Sequence, residues 1–216
     1  MKLVIFDCDG VLVDSEPIAN ASFSRALEPH GIDWGVEETM RRLMGRSLKS
    51  CIEICEAEIG RRLPADFLET MQAVTYRGFR EAPLQAIAGA KDAALALKAA
   101  GFETCVASSG SLDKMRFTLG LTGLWEVFEG RIFSASEVPR GKPSPDLFLH
   151  AALAMNMQPS DCIVVEDSVP GVQAAKAAGM RALAYAGAPY AARMGLAEAG
   201  GLLFDDMKEL PALVQA

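Results

Sequence analysis

Two pairs of acidic residues follow apolar runs in this chain of 216 residues. Asp7 and Asp9 lie at the end of the first run, and Glu166 and Asp167 lie at the end of a later one. Side chains alternate along a strand, so two carboxylates that are two residues apart project to the same side. Close carboxylates repel each other unless a cation lies between them, and Mg²⁺ prefers oxygen ligands. The two pairs therefore predict a divalent-cation site, although turns and solvated strand ends also use these residue types.

A hydroxyl group and a lysine occupy comparable places in the sequence. Ser108 ends the run Cys105–Ser108 and is followed by Ser109 and a glycine. A hydroxyl and backbone N–H groups ahead of a helix can bind phosphate, although a plain helix N-cap has the same residues. Lys142 lies in the segment Gly141–Asp146, whose two prolines stiffen the chain, so its charge can face a phosphate at low entropic cost. A lone lysine is more commonly a solvated surface residue.

The order and position of these four signals matter more than any one of them. Each lies at or just beyond the C-terminal end of a candidate strand, and parallel strands bring those ends to one edge of a sheet. The set combines a nucleophile, a phosphate-binding hydroxyl, a cation and metal ligands. Phosphoryl transfer needs all of these groups.

Short apolar strands alternate with helical segments over most of the chain. The predicted strands are Lys2–Cys8, Glu103–Ser108, Gly130–Ser134, Asp161–Glu166 and Arg181–Tyr185. The predicted helices are Ala90–Ala100, Ser111–Leu119, Pro145–Met155 and Pro170–Ala178. This alternation predicts an α/β fold with a Rossmann-like parallel sheet and right-handed crossovers. A short strand at Leu202–Phe204 and a final helix are predicted to follow.

One long segment breaks this alternation. From about Ile18 to about Pro83 the sequence contains amphipathic helical patterns and no convincing strand. A connecting loop in a compact domain is much shorter than this segment. We therefore expect an inserted α-helical cap at residues 17–83, with a core domain made of residues 1–16 and 84–216.

Composition and charge restrict the partners of the chain. The formal net charge of −7 argues against nucleic acid or an anionic membrane as a partner, since both require a basic surface. No apolar stretch approaches the roughly 20 residues needed to span a bilayer. Carboxylates interrupt the opening apolar run, which therefore predicts a strand rather than a signal peptide. The five cysteines lack metal-site spacing, and we expect reduced, buried thiols in a cytoplasmic protein.

The residues above resemble the four motifs of the haloacid dehalogenase-like (HAD) hydrolase superfamily, in the branch with a helical cap after the first strand. The matching segments are DxDGVLVDSE at Asp7–Glu16, the strand end at Ser108, GKPxPD at Gly141–Asp146 and EDSxxGxxAA at Glu166–Ala175. They occur in the order of the family, and the resemblance covers the whole chain. It implies a magnesium-dependent enzyme that acts on a small phosphorylated metabolite.

The resemblance also implies a role for each acidic residue. Asp7 would attack phosphorus and form an aspartyl-phosphate, and Asp9 would protonate the leaving oxygen and then activate water. Mg²⁺ would be held by a carboxylate oxygen of Asp7, the backbone carbonyl of Asp9, and Asp167. Glu166 would ligate the ion or orient its ligands.

The phosphate-binding roles follow from the same resemblance. Ser108 and backbone N–H groups at Ser109 would bind phosphate oxygens, and Lys142 would neutralise charge on Asp7 and the phosphoryl group. Mg²⁺ and Lys142 together would overcome the repulsion between an acidic protein and an anionic substrate.

Within this superfamily, the residues favour a phosphatase of small metabolites. Dehalogenating members have no use for the proton donor at Asp9. Phosphosugar mutases resembling β-phosphoglucomutase carry a histidine at the position of Ala19 and an arginine shortly after the Gly-x-Ser turn, for which Arg46 is a candidate replacement. The absence of that histidine favours transfer to water. A metal-binding module without turnover would not need both Asp7 and Asp9.

Substrate recognition is expected from the cap. The Gly45 turn is a candidate to approach the substrate, since glycine permits close contact with a ligand. Glu16 at the linker is a polar candidate, with a solvated helix face as its ordinary alternative. Further polar candidates, for which a solvated helix face is the ordinary alternative, are Arg46, Lys49, Arg77 and Arg80. Similar proteins act on sugar phosphates, 6-phosphogluconate or phosphoglycolate. A cap that closes over its own core suggests a monomer.

Overall fold

The computed structural model describes residues 2–43, 48–189 and 191–216. The chain divides into two compact units, one made of Met1–Asp14 and Gln85–Ala216 and the other of Ser15–Leu84. The smaller unit corresponds closely to the segment 17–83 that the sequence sets apart. Each unit has its own apolar core and is described separately.

The larger unit contains a parallel sheet whose six strands lie within the described residues. The strands are β1 (Leu3–Phe6), β2 (Glu103–Ser108), β3 (Ile132–Ser134), β4 (Cys162–Glu166), β5 (Arg181–Tyr185) and β6 (Leu202–Phe204). Their spatial order is β3-β2-β1-β4-β5-β6, with every neighbouring pair parallel. The predicted α/β class with a Rossmann-like sheet is confirmed.

Helices connect the strands of the larger unit, and the regular elements described in the smaller unit are also helices. Numbered along the chain, they are α1 (Glu16–Leu27), α2 (Val36–Leu43), α3 (Leu48–Ile59), α4 (Phe67–Glu81), α5 (Ala90–Ala99), α6 (Leu112–Leu121), α7 (Trp125–Phe128), α8 (Asp146–Ala154), α9 (Val169–Ala177), α10 (Arg193–Glu198) and α11 (Leu210–Gln215). Short 3₁₀ helices occur at Glu28–His30, Ala135–Glu137, Pro159–Asp161 and Met207–Glu209.

Strand β1 lies at the centre of the sheet because it is apolar on both faces. All four of its residues are fully buried, as expected for a strand of a parallel sheet covered on both sides. Leu3 and Ile5 belong to the apolar cluster that contains residues of α8 and α9. Phe6 points to the opposite face, where its ring packs edge-on against Phe128 of α7 at 5.7 Å between centroids. The sheet is thereby held from both sides.

The smaller unit buries a separate apolar cluster between its helices. Phe23 of α1 packs edge-on against Phe67 of α4, with the ring centroids 6.0 Å apart. The other buried members include Leu27, Ile32, Trp34, Leu43, Cys51, Cys55, Leu63 and Met71. Among the described residues, no helix combines the length and the apolar character that crossing a bilayer requires.

Candidate active site

The candidate site lies at the carboxyl edge of the sheet, where β1, β2 and β4 end. Asp7 directly follows β1, and its N–H donates to the Val165 carbonyl at 2.9 Å, which continues the ladder between β1 and β4 by one residue. Ser108 is the last residue of β2, and Glu166 is the last residue of β4. Because the three strands are parallel neighbours, these side chains come together at one edge.

Lys142 lies between two of the carboxylates. Its Nζ is 2.6 Å from Asp7 Oδ1 and 2.6 Å from Glu166 Oε1, and it also donates to the Ala107 carbonyl at 3.2 Å. The side chain is only 5% exposed, and its ammonium stands 5.0 Å from the centre of the Phe148 ring. The lysine that the sequence indicated is therefore a buried cation with several acceptors rather than a surface residue.

Burial and charge act in opposite directions on these groups. Burial lowers the pKa of Lys142, but the carboxylates of Asp7 and Glu166 outweigh it and hold that pKa above its ordinary value, so the ammonium stays charged. Burial raises the pKa of Asp7 to about 7, because the attraction of Lys142 is partly offset by repulsion from Glu166 and Asp9. One ammonium shared by two carboxylates leaves negative charge at the site.

Glu166 is completely buried and is held by three donors. Besides Lys142, the N–H and the hydroxyl of Ser168 donate to its Oε2 at 2.9 and 2.8 Å. A Cβ atom at Gly171 would lie 1.9 Å from the Glu166 carboxyl carbon, so only glycine lets α9 approach this side chain. These contacts fix the orientation of Glu166.

Asp167 lies against the loop that carries Asp7. A Cβ atom at Gly10, whose φ is 78°, would be 2.0 Å from Asp167 Oδ2. Glycine at position 10 therefore provides both the left-handed turn and the room for this carboxylate.

Asp7, Glu166 and Asp167 form a cluster that fits a hard divalent cation. Each residue offers a carboxylate oxygen, and the three oxygens lie within 4.8 Å of one another. The Lys142 ammonium is the one cation shared by two of these three carboxylates, and a divalent ion would balance their remaining negative charge. An all-oxygen ligand set suits Mg²⁺.

Asp9 pairs with a residue that the sequence did not single out. Lys114 Nζ lies 2.8 Å from Asp9 Oδ2, and both side chains are partly buried. Lys114 is the third residue of α6, where a positive charge is unfavourable because the helix dipole is positive at that end. Because a lysine is unfavourable there, its presence in the first turn of the helix after Ser108 was a sequence signal that could have identified Lys114 as a site residue.

The turn after β2 is fixed by hydrogen bonds. Ser108 is 1% exposed, and its Oγ accepts from the Gly110 N–H at 3.1 Å. The Ser134 hydroxyl donates to the Gly110 carbonyl at 2.7 Å, while Ser109 is exposed. Helix α6 starts directly after this turn, with Ser111 as its N-cap. Ser108 and Ser109 thus precede a helix N-terminus, as the sequence indicated.

Cys8 lies between the two aspartates but is not suited to attack phosphorus. Burial raises the pKa of its thiol well above the ordinary value, and the charges of Asp9 and Asp7 raise it further. The group therefore stays a neutral thiol. All five cysteine side chains are buried.

The residues expected to recognise the substrate belong to the smaller unit. Glu16 is the first residue of α1, and its Oε2 accepts from Asn20 Nδ2 at 2.8 Å. Arg77 and Arg80 lie on α4. Gly45 and Arg46 lie outside the described residues, as does the side chain of Lys49. Their role toward a substrate stays a prediction.

Comparison with known proteins decides the family. The family model of the haloacid dehalogenase-like hydrolases matches residues 1–179. The chain belongs to the HAD-like hydrolases. The predicted resemblance to this family is thereby confirmed, while the roles of the individual site residues stay predictions.

Two curated members of this family from Escherichia coli K12 are similar to the chain. A 6-phosphogluconate phosphatase is 34% identical over 190 residues, which cover 88% of this chain and 85% of the relative. Hexitol phosphatase A is 32% identical over 188 residues, or 85% of this chain and 82% of the relative. This HAD-like hydrolase is accordingly an enzyme that cleaves phosphoric monoesters.

A solved structure agrees with the fold over the whole chain. The conserved haloacid dehalogenase-like protein of unknown function from Agrobacterium tumefaciens superposes with a TM-score of 0.86 at 35% identity. The match covers 100% of this chain and 98% of that protein. The HAD-like architecture described above therefore extends to the inserted helical segment.

Proposed function

We propose that this HAD-like hydrolase removes phosphate from small phosphorylated carbohydrates through an aspartyl-phosphate at Asp7. The observation that carries the proposal is the pairing of two carboxylates with separate cations. Asp7 is paired with Lys142, and Asp9 is paired with Lys114. Two carboxylates in different environments can take different roles, one as nucleophile and the other as acid and base.

In the first half of the reaction, Asp7 is the nucleophile. A carboxylate oxygen of Asp7 bonds to phosphorus, the bond from phosphorus to the sugar oxygen breaks, and Asp9, which must be in its protonated form at this stage, gives that oxygen a proton. Lys142 orients Asp7 through its 2.6 Å contact and balances charge beside it. Ser108 and the backbone N–H groups of the following turn hold phosphate oxygens at the start of α6.

In the second half, Asp9 is the base. It accepts a proton from water while the water oxygen bonds to phosphorus and the bond between phosphorus and Asp7 breaks. Asp7 returns as a carboxylate, and inorganic phosphate leaves. The atoms of one ester and one water thus end in one alcohol and one phosphate.

Magnesium fits the acidic cluster as the resident ion. Asp7, Asp167 and the backbone carbonyl of Asp9 would hold it, and it would supply positive charge beside the phosphoryl oxygens. Glu166, whose two oxygens already accept from Lys142 and Ser168, would orient its neighbours rather than bind the ion directly.

Water is proposed as the acceptor in place of a second sugar hydroxyl. The position at which β-phosphoglucomutase-like enzymes carry a histidine is Ala19 here, so that acid–base group is missing. The activities of the two reported relatives, a 6-phosphogluconate phosphatase and a hexitol phosphatase, support hydrolysis and a polyhydroxylated substrate. A cytoplasmic monomer fits a metabolic role of this kind and the five buried thiols.

A substrate panel with and without Mg²⁺ tests this assignment. Phosphate release is measured with hexose phosphates, hexitol phosphates, 6-phosphogluconate and phosphoglycolate, and sugar products are followed by NMR. Metal-dependent phosphate release that is fastest for the carbohydrate esters is expected. Conversion of glucose 1-phosphate to glucose 6-phosphate that outpaces phosphate release would instead make the protein a mutase.

A further inference from the structure

Lys114 forms an ion pair with Asp9. Its Nζ lies 2.8 Å from Asp9 Oδ2, which is a charge-assisted hydrogen bond between residues 105 positions apart in the chain. The side chains of Lys114 and Asp9 are 29% and 17% exposed. This pair is more shielded from water than a surface ion pair, so it can hold the carboxylate in a defined orientation.

The helix that carries Lys114 is anchored beside the Asp7–Gly10 loop. Thr118, one turn later on α6, is fully buried, and its hydroxyl donates to the Lys114 carbonyl at 3.1 Å. The N–H of Lys114 donates to the N-cap Ser111 at 3.2 Å. The backbone N–H and the carbonyl of Lys114 are therefore both hydrogen-bonded, and the side chain extends toward Asp9 from a fixed backbone position.

The lysine stem also lies along the turn expected to bind phosphate. A Cβ atom at Gly110 would be 3.5 Å from Lys114 Cδ and 3.8 Å from Asp9 Oδ2, which are ordinary contact distances. The Lys114–Asp9 pair and the Ser108–Gly110 turn therefore border each other. Because the helix dipole makes a cation unfavourable at the N-terminal end of α6, helix stability does not explain a lysine at this position.

We propose that Lys114 is a positioning residue that holds the Asp9 carboxylate ready to take a proton from water during breakdown of the aspartyl-phosphate. This inference rests on the proposed function of Asp7 and Asp9. Lys114 itself transfers no proton: water gives one to Asp9, the water oxygen bonds to phosphorus, and the electron pair of the broken bond returns to Asp7. Loss of Lys114 should therefore slow the second half of the reaction more than the first.

The test uses 4-nitrophenyl phosphate, whose leaving group departs without help from an acid. With this substrate kcat/KM reports formation of the aspartyl-phosphate, whereas kcat includes its hydrolysis. For Lys114→Met we expect kcat and KM to fall together by about tenfold, a fraction of the 10²–10⁴ that a general base supplies, with kcat/KM unchanged. Acid-quenched samples should contain more phosphorylated protein than wild-type samples do.

Three further variants make the result decisive. Lys114→Arg keeps a cation for Asp9 and should restore most of kcat, and Asp9→Asn should show the same pattern as Lys114→Met with a larger loss. Arg116→Met removes an exposed cation from the same helix, where Arg116 stands over the Trp125 ring, and should leave all constants unchanged.

The outcomes separate this inference from the proposed function. A Lys114→Met enzyme with wild-type kcat, or one with raised KM and unchanged kcat, would overturn the positioning role while leaving the aspartyl-phosphate mechanism in place. A fall in kcat/KM that Lys114→Arg does not restore would indicate a packing role and would also overturn it. A wild-type enzyme that neither releases phosphate nor becomes phosphorylated would contradict the proposed function itself.

Discussion

At the scale of single residues, the site is an arrangement of acidic side chains around two lysines. Lys142 is buried and bridges Asp7 and Glu166, while Lys114 is partly exposed and pairs with Asp9. Removing one member of a buried ion pair leaves the remaining charge without compensation in a poorly solvated place. The two lysines should therefore differ in what their loss does to the folded protein.

Replacing Lys142 should affect both stability and activity. In metal-free buffer, Lys142→Met should lower the free energy of unfolding by about 3 kcal/mol, because Asp7 and Glu166 lose their shared cation. Phosphate release should also fall below detection, since Asp7 is no longer oriented. Urea denaturation and a phosphate assay measure the two effects.

Arg140 provides the matched control two residues away. Its side chain is 72% exposed and pairs with Asp146 at 3.0 Å. Arg140→Met should change the free energy of unfolding far less than Lys142→Met does, because surface ion pairs contribute little to stability, and it should leave activity intact. Equal effects of the two substitutions would show that burial of Lys142 is not important.

At the scale of elements, helix α9 reaches Glu166 because residue 171 has no side chain. A Cβ atom there would overlap the Glu166 carboxylate, with contacts of 1.9 Å to its carboxyl carbon and to Oε1. Gly171→Ala should therefore displace Glu166, weaken its contact with Lys142 and reduce both the melting temperature and phosphate release. Calorimetry and the phosphate assay check the two expectations.

Gly120 of α6 is the control for this substitution. It is also a helical glycine, but nothing lies within 4 Å of the Cβ that alanine would add. Gly120→Ala should raise stability by up to about 1 kcal/mol, because alanine favours the helix over the unfolded chain. If Gly171→Ala behaved in the same way, the close approach of α9 to Glu166 would not matter.

The sequence predicted the elements best where their composition was extreme. The strands Glu103–Ser108, Arg181–Tyr185 and Leu202–Phe204 occur at the predicted bounds, since short apolar runs between turn residues have few other uses. The first predicted strand ran to Cys8, whereas β1 ends at Phe6. There the ladder gives way to the turn around Gly10, which the alternation of apolar residues does not reveal.

The candidate site could be predicted only where a residue stood in a recognisable motif. The residues around β1 and β4 were identified because acids at the end of an apolar run are unusual. Lys114 was not assigned a role, since its partner Asp9 lies 105 positions away in the chain and their contact is set by how α6 packs on the sheet. Long-range contacts of that kind depend on tertiary packing rather than on local sequence.

At the scale of the whole molecule, the acidic character of the protein makes local cations essential. The net charge is −7, yet the expected substrates are anions. Lys142, Lys114 and the bound ion would supply positive charge at the carboxyl edge of the sheet. Metal binding should consequently be coupled both to folding and to protonation of the site.

The coupling can be measured as the effect of Mg²⁺ on thermal unfolding at two pH values. The pKa of Asp7 is raised to about 7 by burial, so in the metal-free protein its contribution to stability falls as pH rises from its ordinary value, 3.8, towards 7. Above pH 7 a divalent ion bound at Asp7 would take the place of the proton. One Mg²⁺ concentration, about 100 times the dissociation constant at pH 8, should therefore stabilise the protein by about 2.7 kcal/mol at pH 8 and by clearly less at pH 5.5, where protonation of Asp7 weakens binding. If Mg²⁺ stabilised the protein equally at both pH values, or not at all, the ion would not bind at the Asp7 carboxylate.

The central claim is that phosphate is carried by Asp7, and trapping the phosphorylated protein tests it most directly. The enzyme is mixed with Mg²⁺ and its best carbohydrate phosphate, quenched with acid or borohydride within one turnover, digested and examined by mass spectrometry, with Asp7→Asn as the control. The account predicts a phosphorylated or reduced side chain at position 7 in the wild type and none in Asp7→Asn. Phosphate release at the wild-type rate by Asp7→Asn, or a label on another residue, would contradict it.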